Sequence, residues 1–545
     1  MIDIMKKIGK KFFLLLLILS LIFTATSCRS DTPHPEEEII SFTLSSDPAT
    51  LDPQIADDYS SYMLISNLFE GLVRTDSDGG IKSGMAESWD ISSDGLSYVF
   101  HLFENTKWSN GTPVTADDFV FGLTRALTPE TGAEDATDLF LIKNASAYYN
   151  GDVSADMLGI SAIDEHTLKI DLEYESNALL IVLTEPVAMP CNEEFFNSSK
   201  GKYGKSDELT ITNGPFKIRE NYGWDHDSYI YIRRSEFYNA ANPAIPLGVN
   251  FTYGQQPTDL INSILSGETD ICEIYGNQLD RAKENNFNIT TTTNTLWGIC
   301  YNTDIPAFKN AKLRVSLFSS LNRSNLLKDV PESYVKTTQL IADNVLFAGR
   351  NYRERAGEFT VEHSDNAAEM YAKAAEELAE KNIELKSTYT ILYLDDETSS
   401  KLVTSIIEVW NETSGCYFNK QPLSRNELEE RINSGSYEIA IAPLNTAVDS
   451  PMEFLSQFTT DSPDNYINLN YPLYNEFIDK ALFENGTASI DALIDAESYL
   501  IDYGYLYPLY YESRYFASTD KISGAIFSNT GESIDFTQIT KLSEN

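Results

Sequence analysis

Side chains able to carry out chemistry are sparse in this sequence of 545 residues. Its five histidines are His34, His101, His166, His226 and His363. None belongs to an HExxH zinc motif, and the chain contains no GxSxG, Walker or GxGxxG motif. His226 lies between two acids in "WDHDS", but adjacent strand residues point to opposite faces, so a surface loop is favoured over a metal site. The residue pattern therefore supports no enzyme activity, and no cofactor or metal is expected.

The cysteines also lack a redox or metal signature, because no two of them are spaced as CxxC. Cys28 stands near the N-terminus, and the other four are Cys191, Cys272, Cys300 and Cys416. Four cysteines allow three full disulfide pairings, and the sequence cannot choose among them. An exported chain could oxidise them, but buried free thiols fit equally well.

The charge balance excludes nucleic acid as a partner. The chain has 82 acidic and 40 basic residues, with a formal net charge of −42 at pH 7. Nucleic-acid phosphates require a basic surface, and an anionic membrane would repel the same acidic body. A solvated acidic surface is the simplest interpretation. The length is sufficient for about two or three domains.

The N-terminus has a different composition from the body. Four lysines precede the run Phe12–Phe23, which is apolar apart from one serine and is short for a membrane span. Small residues in "TATSC" then lead to Cys28, so residues 1–27 resemble a bacterial lipoprotein signal with Cys28 as the lipidated residue. Residues 28–38 are polar and Pro-rich, which predicts a flexible tether. An ordinary secretory signal is the alternative.

Scaffold elements are easier to recognise than chemistry. In "KWSNGTPVTADDF" (Lys107–Phe119), Asn-Gly predicts a tight turn. Thr115 is a good helix N-cap, and Asp118 stands three residues later, where its carboxylate can reach back to the cap amide. The preceding "LSYVFHL" (Leu96–Leu102) alternates as a strand. The stretch is thus strand, turn and capped helix, and it carries no reactive group.

A second region predicts the fold class. Between Tyr389 and Ala442, "YTILYL", "SSKLVTSIIEVWNET", "SRNELEERINSG" and "YEIAIAP" alternate as strand, helix, helix and strand. Such alternation implies parallel strands joined by right-handed crossovers. Just upstream, an Ala/Glu/Lys-rich run predicts a helix. The apolar stripe expected there is Ala368, Tyr371, Ala372, Ala375, Leu378 and Ala379.

The stretch Ala86–Leu127 resembles the signature region of the family 5 extracellular solute-binding proteins, the oligopeptide- and dipeptide-binding components of ABC importers. Further blocks follow in the order of that family. They are "TLDPQ" (Thr50–Gln54), "LFEGLV" (Leu68–Val73), "TNGPFKI" (Thr212–Ile218), "LSGETDI" (Leu265–Ile271), "YNTDIPAFKNAKLRVSLFSSLNR" (Tyr301–Arg323) and "YPLYY" (Tyr507–Tyr511). Together they span nearly the whole chain after the tether.

The resemblance implies an α/β fold, a two-lobe periplasmic-binding-protein-like clamp (type II) with a third accessory domain. The implied parts are binding lobe I (39–70, 208–294 and 514–545), an accessory domain (71–207) and binding lobe II (295–513). The chain would cross between the binding lobes near 295 and 514, which makes these crossings the expected hinge. The strand, turn and capped helix described above would belong to the accessory domain.

The resemblance also implies a function. Lipid-anchored on the extracytoplasmic side of the cell membrane, a monomer would capture an extended peptide ligand between its closing lobes and deliver it to ABC permease and ATPase subunits. Backbone hydrogen bonds and hydrated side-chain pockets would hold the peptide. The alternatives are a binding protein for another solute (sugar oligomer, modified peptide or metal chelate) and a peptide-sensing signalling lipoprotein. No catalytic residue is implied.

Residues can be carried over from the family at a few positions. Leu51 to Glu70 matches without a gap, which places Asp57, Asp58 and Tyr59 where lobe I meets the ligand backbone. Trp297 falls in an aromatic run near the hinge and either walls the cleft or belongs to the core. In lobe II the matching segment is "APLNTAVDSPMEFL". Its expected ligand-binding residues are Asn445, Thr446, Ala447 and Asp449.

One of these positions departs from the family pattern. Oligopeptide binders usually carry an aspartate at the position of Ala447, where it pairs with the peptide α-ammonium. A buried charge without a partner costs several kcal/mol, so the ligand either lacks an ammonium there or meets another acid. We expect that Asp449, Asp57 or Asp58 replaces the missing anchor. Asp449 is favoured, because in an extended segment it returns to the same face two residues on.

Overall fold

A computed structural model describes most of the chain. The described residues are 39–75, 81–174, 176, 179–254, 260–343, 345–347, 350–445, 450–460, 462, 464–483, 487–528 and 533–542. The lipoprotein signal, the tether and Cys28 lie outside them. None of the described helices combines the length and the apolar character needed to cross a bilayer.

The α-helices are short on average and are spread along the chain. In order they are α1 (Tyr59–Leu68), α2 (Ala116–Ala126), α3 (Ala145–Tyr149), α4 (Leu179–Val182), α5 (Glu193–Ser198), α6 (Leu260–Leu265), α7 (Leu279–Glu284), α8 (Ala311–Ser320), α9 (Arg323–Leu326), α10 (Tyr352–Ala356), α11 (Ala367–Glu380), α12 (Glu397–Ser414), α13 (Arg425–Asn433), α14 (Pro451–Ser456), α15 (Pro472–Phe483) and α16 (Thr487–Asp502). Single 3-10 turns join several of them.

The strands occur singly or in short runs between these helices and after the last of them. In order they are β1 (Ile39–Thr43), β2 (Val73–Thr75), β3 (Ile81–Ser83), β4 (Ala86–Ile91), β5 (Ser97–Leu102), β6 (Ile160–Asp164), β7 (Thr167–Asp171), β8 (Phe216–Ile218), β9 (Trp224–Asp225), β10 (Tyr229–Arg234), β11 (Gly248–Thr252), β12 (Ile271–Ile274), β13 (Asn288–Tyr301), β14 (Val335–Lys336), β15 (Leu346–Phe347), β16 (Arg350–Asn351), β17 (Thr388–Leu394), β18 (Tyr417–Leu423), β19 (Ile439–Asn445), β20 (Leu506–Ser518), β21 (Ile522–Ser523), β22 (Ile526–Phe527), β23 (Ile534–Asp535) and β24 (Thr540–Lys541).

One sheet of twelve strands organises the molecule. Its order is β18-β17-β19-β13-β20-β12-β1-β11-β10-β8, with β14 added on β20 and β9 on β10. The two longest strands, β13 and β20, are antiparallel partners at its centre and are neighbours to both halves of the sheet. A separate sheet of four strands has the order β4-β5-β7-β6.

The hydrophobic core follows this division. One large cluster is built from residues between Leu296 and Tyr511, under the half of the sheet that carries β17, β18 and β19. A second combines the four-stranded sheet and α2 with β1, β10 and β11 in one continuous core. A small third cluster packs α6 against β12 and the end of β20. The four-stranded sheet is therefore fused to one half of the large sheet rather than tethered to it.

Buried polar contacts reinforce that fusion. The guanidinium of Arg125 on α2 pairs with the carboxylate of Asp52, with Nη1 to Oδ1 at 2.7 Å, and both side chains are almost fully buried. Gln54 donates to the main-chain oxygen of Met189 at 2.9 Å. Because these groups are shielded from water, losing either partner would leave a buried group without its hydrogen bond. They fix the position of α2 on the segment that follows β1.

The strand, turn and capped helix form as expected. Tyr98, Phe100 and Leu102 of β5 are buried on one face, and α2 begins after Thr115. The Thr115 side chain and Asp118 form a reciprocal capping box. Asp118 Oδ2 also accepts a hydrogen bond from Trp108 Nε1 at 3.1 Å, so this carboxylate ties the turn to the helix.

The helix stripe predicted for α11 is partly wrong. The buried residues of α11 are Ala367, Tyr371, Ala374 and Leu378. The expected alanines at 368, 372 and 379 are exposed, and Ala375 is only half-buried. The two large residues of the stripe, Tyr371 and Leu378, were identified correctly. The alanines were assigned to the wrong side because alanine occurs on both faces of this helix.

Candidate functional site

The carboxyl ends of two sets of parallel strands face each other in the large sheet. In one half β1 runs parallel to β11 and to β12, and in the other β17 runs parallel to β18 and to β19. Because β12 is antiparallel to β20 and β19 is antiparallel to β13, the two sets run towards each other along the central strands. Ligands of open α/β sheets bind beyond the carboxyl ends of such strands. The candidate site therefore lies where the two sets meet.

A three-residue stretch of β20 occupies the interval between them. The last residue of β12, Ile274, is opposite Tyr515 of β20. The last residue of β19, Asn445, is opposite Leu296 of β13, and Leu296 is in turn opposite Tyr511 of β20. The residues between are Glu512, Ser513 and Arg514, which we call the cleft floor. They are partly exposed, whereas the strand is buried on both sides of them. At these three positions β20 exposes polar side chains between the two sets of strand ends.

Glu512 is held from the side of β17, β18 and β19. Its Oε2 accepts from Trp297 Nε1 at 3.1 Å and pairs with Arg425 Nη2 at 3.0 Å. Arg425 begins α13, just beyond the carboxyl end of β18, and its guanidinium lies 5.2 Å over the Trp297 ring. Each of the three side chains thus contacts the other two, so that a carboxylate, a guanidinium and an indole ring lie together. Trp297 also packs in the large cluster and is 2% exposed, so it serves both as core and as the base of this group.

Arg514 lies on the side of β1, β11 and β12. Its guanidinium lies 4.2 Å over the ring of Tyr59, the first residue of α1. Its Nε is 3.8 Å from Oε1 of Glu273 on β12, which is an ion pair but is too long for a hydrogen bond. Burial raises the pKa of Glu273, and the charge of Arg514 partly offsets that rise. The cleft floor thus carries one acid and one base, two residues apart on one face of the strand.

Two tyrosines line the edge of β20 next to Glu512. Tyr334 and Tyr510 stack with ring centroids 5.0 Å apart, and β14 pairs with this stretch of β20. Burial raises the pKa of both hydroxyls, and nearby acids raise it further. Both phenols therefore stay neutral and can act as hydrogen-bond donors beside the cleft floor.

The residues predicted in lobe I take different positions. Asp58 is the N-cap of α1: its carboxylate accepts from the main-chain nitrogen of Ser61 at 3.0 Å, from the Ser61 hydroxyl, and from the main-chain nitrogen of Ala49 at 3.2 Å. Asp57 is exposed, directly before that cap. Tyr59 is half-buried under Arg514. Asp57 thus remains exposed, whereas Asp58 already holds the helix and Tyr59 contacts Arg514.

The residues predicted in lobe II are described only in part. Asn445 is the last residue of β19, where its backbone pairs with Leu296. Thr446, Ala447 and Asp449 lie outside the described residues. The end of β19 nevertheless fixes where that segment begins, on the β17–β19 side of the cleft floor.

Glu512, Arg514 and Arg425 of the candidate site were not predicted from the sequence. A signal for the first two was present, because "ESR" interrupts the aromatic and apolar run from Leu506 to Phe516. Polar residues at two positions of one face, inside a strand that is otherwise buried, require a reason for their exposure. Arg425 gave no such signal, since a charged residue in the first turn of a surface helix is common.

Metal and thiol chemistry find no support in the part of the chain that the structure describes. It contains no group of three or more His, Cys, Asp and Glu side chains arranged to hold a metal ion. His226 pairs with Asp47, with Nδ1 to Oδ2 at 2.8 Å, on the surface. Cys191, Cys272, Cys300 and Cys416 are free thiols, and burial raises the pKa of the first three to about 12. Such thiols are poor nucleophiles.

Two sets of strands that face each other across shared central strands define a class of protein: the α/β two-lobe clamp of type II that binds solutes, here with an accessory domain. Residues 80–466 match the model of the bacterial extracellular solute-binding proteins, family 5. The chain belongs to this family, which binds solutes and is not a family of enzymes.

Individual relatives are distant but extend over nearly the full length. The dipeptide-binding protein DppE of Bacillus subtilis is 24% identical, over 90% of this chain and 90% of its own. The probable deoxycholate-binding periplasmic protein YgiS of Escherichia coli is 24% identical over the same shares. The solved substrate-binding domain of an oligopeptide ABC transporter from Bacillus anthracis superposes with a TM-score of 0.70 at 24% identity, covering 93% of this chain and 99% of that one. The last likeness concerns the fold alone.

Proposed function

We propose that this protein is the lipid-anchored substrate-binding component of an ABC importer. It captures extended peptides between two closing lobes and delivers them to a membrane permease whose ATPase partner drives import. Membership of a solute-binding family supports capture, and the relative named as a dipeptide-binding protein supports a peptide as the solute. The ligand leaves chemically unchanged.

The lobes follow the central strands. We propose binding lobe I as 39–70, 208–294 and 514–545, the accessory domain as 71–207 and binding lobe II as 295–513. The positions near 295 and 514 fall on β13 and β20, where the pairing register shifts between Thr293 and Leu296. Such irregularities weaken a ladder locally, which favours bending there. Closure would bring the two sets of strand ends towards each other over the cleft floor.

The observation that carries the proposal is the polar break in β20 between the carboxyl ends of both strand sets. An extended peptide offers main-chain donors and acceptors at the spacing of a strand, so it can hydrogen-bond to the ends of strands in both lobes. Asp57, Tyr59, Asn445, Thr446, Ala447 and Asp449 are the proposed contacts beyond Trp297 and the cleft floor. Asp58 acts there through the position of α1.

Native mass spectrometry of the purified chain tests the proposal. We expect masses that correspond to short peptides bound one per protein molecule, and a rise in melting temperature when the peptides are returned to stripped protein. The same peptides should be recovered intact after long incubation. A bound sugar, bile acid or metal chelate would contradict peptide binding, and cleaved peptides would contradict the absence of turnover.

The anchor is a separate part of the proposal. The basic and apolar order of residues 6–28 supports lipidation of Cys28, which gives stable membrane attachment when two acyl chains are present. We expect Cys28→Ala to leave the signal uncleaved and the chain without acyl groups, which the intact mass of the purified protein would show. A variant that is still cleaved before residue 28 and still carries acyl chains would contradict the anchor and leave peptide binding untouched.

A further inference from the structure

Within the part of the chain that the structure describes, no group hydrogen-bonds to the guanidinium of Arg514. Among the described residues its contacts are the Tyr59 ring beneath it and the carboxylate of Glu273, 3.8 Å from its Nε. Its Nη1 is shielded from solvent and has no hydrogen-bond partner. The side chain keeps 22% of its surface exposed, so it is neither in the core nor fully solvated. An arginine in this position normally hydrogen-bonds with several of its five N–H groups.

The other arginine of the site is already hydrogen-bonded to an acid. Arg425 forms a hydrogen-bonded ion pair with Glu512, whose same oxygen also accepts from Trp297. Glu273 does not do the same for Arg514, because it approaches only the Nε edge and stays beyond hydrogen-bond distance. Among the described residues, the N–H groups of the Arg514 guanidinium are therefore the cationic donors of the cleft floor that have no acid at hydrogen-bond distance.

A carboxylate is the group that best matches such donors. The planar fork of a guanidinium accepts a carboxylate through two parallel hydrogen bonds, and burial strengthens them. The protein as a whole carries a net charge of −42, so an anionic group is repelled everywhere except next to a local positive charge. The ring of Tyr59 lies 4.2 Å from the guanidinium carbon and supports the side chain from one side.

We propose that Arg514 receives a carboxylate of the bound peptide on the floor of the cleft and thereby selects ligands that carry one at that position. This inference rests on the proposed peptide binding. The carboxylate comes either from the C-terminus of a short peptide or from an Asp or Glu side chain of a longer one. Arg514 is thus a specificity-determining residue that meets the ligand directly.

A defined peptide pool tests the inference. The pool contains di- to pentapeptides of Ala, Leu, Ser and either Glu or Gln, each synthesised as the free acid and as the C-terminal amide. The full chain is stripped of ligand by unfolding and refolding, equilibrated with the pool, and the retained peptides are counted by mass spectrometry. We expect about 10- to 100-fold enrichment of peptides with a carboxylate at one fixed position. Dependence on the free C-terminus or on Glu identifies the source.

Three variants locate the effect. Arg514→Gln should retain peptides without the preference, and Arg514→Lys should keep a weaker preference because it keeps the charge and loses the fork. The lysine variant decides the question if the glutamine variant does not fold. Arg219→Gln is the matched control: Arg219 also stacks on a tyrosine, 4.4 Å over Tyr231, but it follows β8 at the far edge of the sheet. It should keep the wild-type preference.

The outcomes separate the two proposals. Retained peptides without any carboxylate preference in the wild type, or with an unchanged preference in Arg514→Gln, would overturn this inference and leave peptide binding standing. A wild type that retains no peptide from the pool would overturn the proposed function and this inference with it.

Discussion

The adjacent acids Asp57 and Asp58 have different roles. Asp58 caps α1 and accepts three hydrogen bonds from Ala49 and Ser61. Asp57 is exposed, with its side chain available to solvent or ligand. An acid that satisfies helix amides has little capacity left for an ammonium group. Of the two, Asp57 is the better candidate for contact with a ligand.

Stability measurements on two alanine variants test this difference. Asp58→Ala removes the cap and its link to Ala49, so its free energy of unfolding in urea should fall by about 1–2 kcal/mol. Asp57→Ala should stay within about 0.5 kcal/mol of the wild type, as surface substitutions do. Equal stability of both variants would show that Asp58 does not act as the cap in solution.

The sequence was sufficient for some residues of the site and insufficient for others. Trp297 and Tyr59 were found because they fall in segments that match the family, and both contact the charged groups of the cleft floor. The roles of Glu512 and Arg514 depend on where β12 and β19 end along β20. That register joins segments more than two hundred residues apart, and no local pattern encodes it.

Among the elements, those with local signals were predicted well. The capped start of α2 and the parallel strands β17 and β19 formed as expected, since turn residues, caps and alternating apolar residues are visible in a short window. The strand β18, which lies between the two helices predicted in that region, was not predicted. The alanines of the α11 stripe were predicted on the wrong face, because alanine has the highest helix propensity and fits either face. Which alanines are buried is decided by α8 and α12 packing against α11, contacts that come from distant sequence.

A close approach between two elements next to the cleft floor leads to a second prediction. Gly276 follows β12, and Ser333 precedes β14; a Cβ atom added at Gly276 would lie 2.7 Å from both Cβ and Oγ of Ser333. Because β12 and β14 lie along the same edge of β20, this contact sets how closely the two halves approach. Gly276→Ala should therefore lower the free energy of unfolding by about 1–3 kcal/mol.

The double variant Gly276→Ala with Ser333→Gly is the control. It removes both atoms that the new Cβ would meet, so most of the lost stability should return when urea unfolding is compared across wild type, both single variants and the double variant. If Gly276→Ala is as stable as the wild type, the two segments are not held in contact in solution.

For the molecule as a whole, the central pair of strands joins what the resemblance divides into lobes. β13 and β20 pair with each other along almost their whole length and lie next to β19 on one side and β12 on the other. The accessory elements share one core with β1, β10 and β11. Each half of the large sheet is therefore built on a strand that also pairs with the other half.

Calorimetry tests that coupling. We expect a single thermal transition, with a calorimetric enthalpy equal to the van't Hoff enthalpy, because the shared strands make the lobes unfold together. Two resolved transitions would mean that one lobe remains folded on its own half of β13 and β20, as in multidomain proteins whose parts are linked only by loops.

The path of β1 through the sheet has a consequence for how the protein is made. β1 is the first described strand to leave the ribosome, yet its neighbours are β11 and β12, and β12 is in turn completed by β20 near the end of the chain. The side chain of Asn67 on α1 hydrogen-bonds with the main chain of Ile534 and Phe536, which is synthesised near the end of the chain. Contacts between such distant segments form slowly. A nascent chain therefore cannot complete this half of the sheet before its synthesis is nearly finished, so the strands made first remain without their last partners until then.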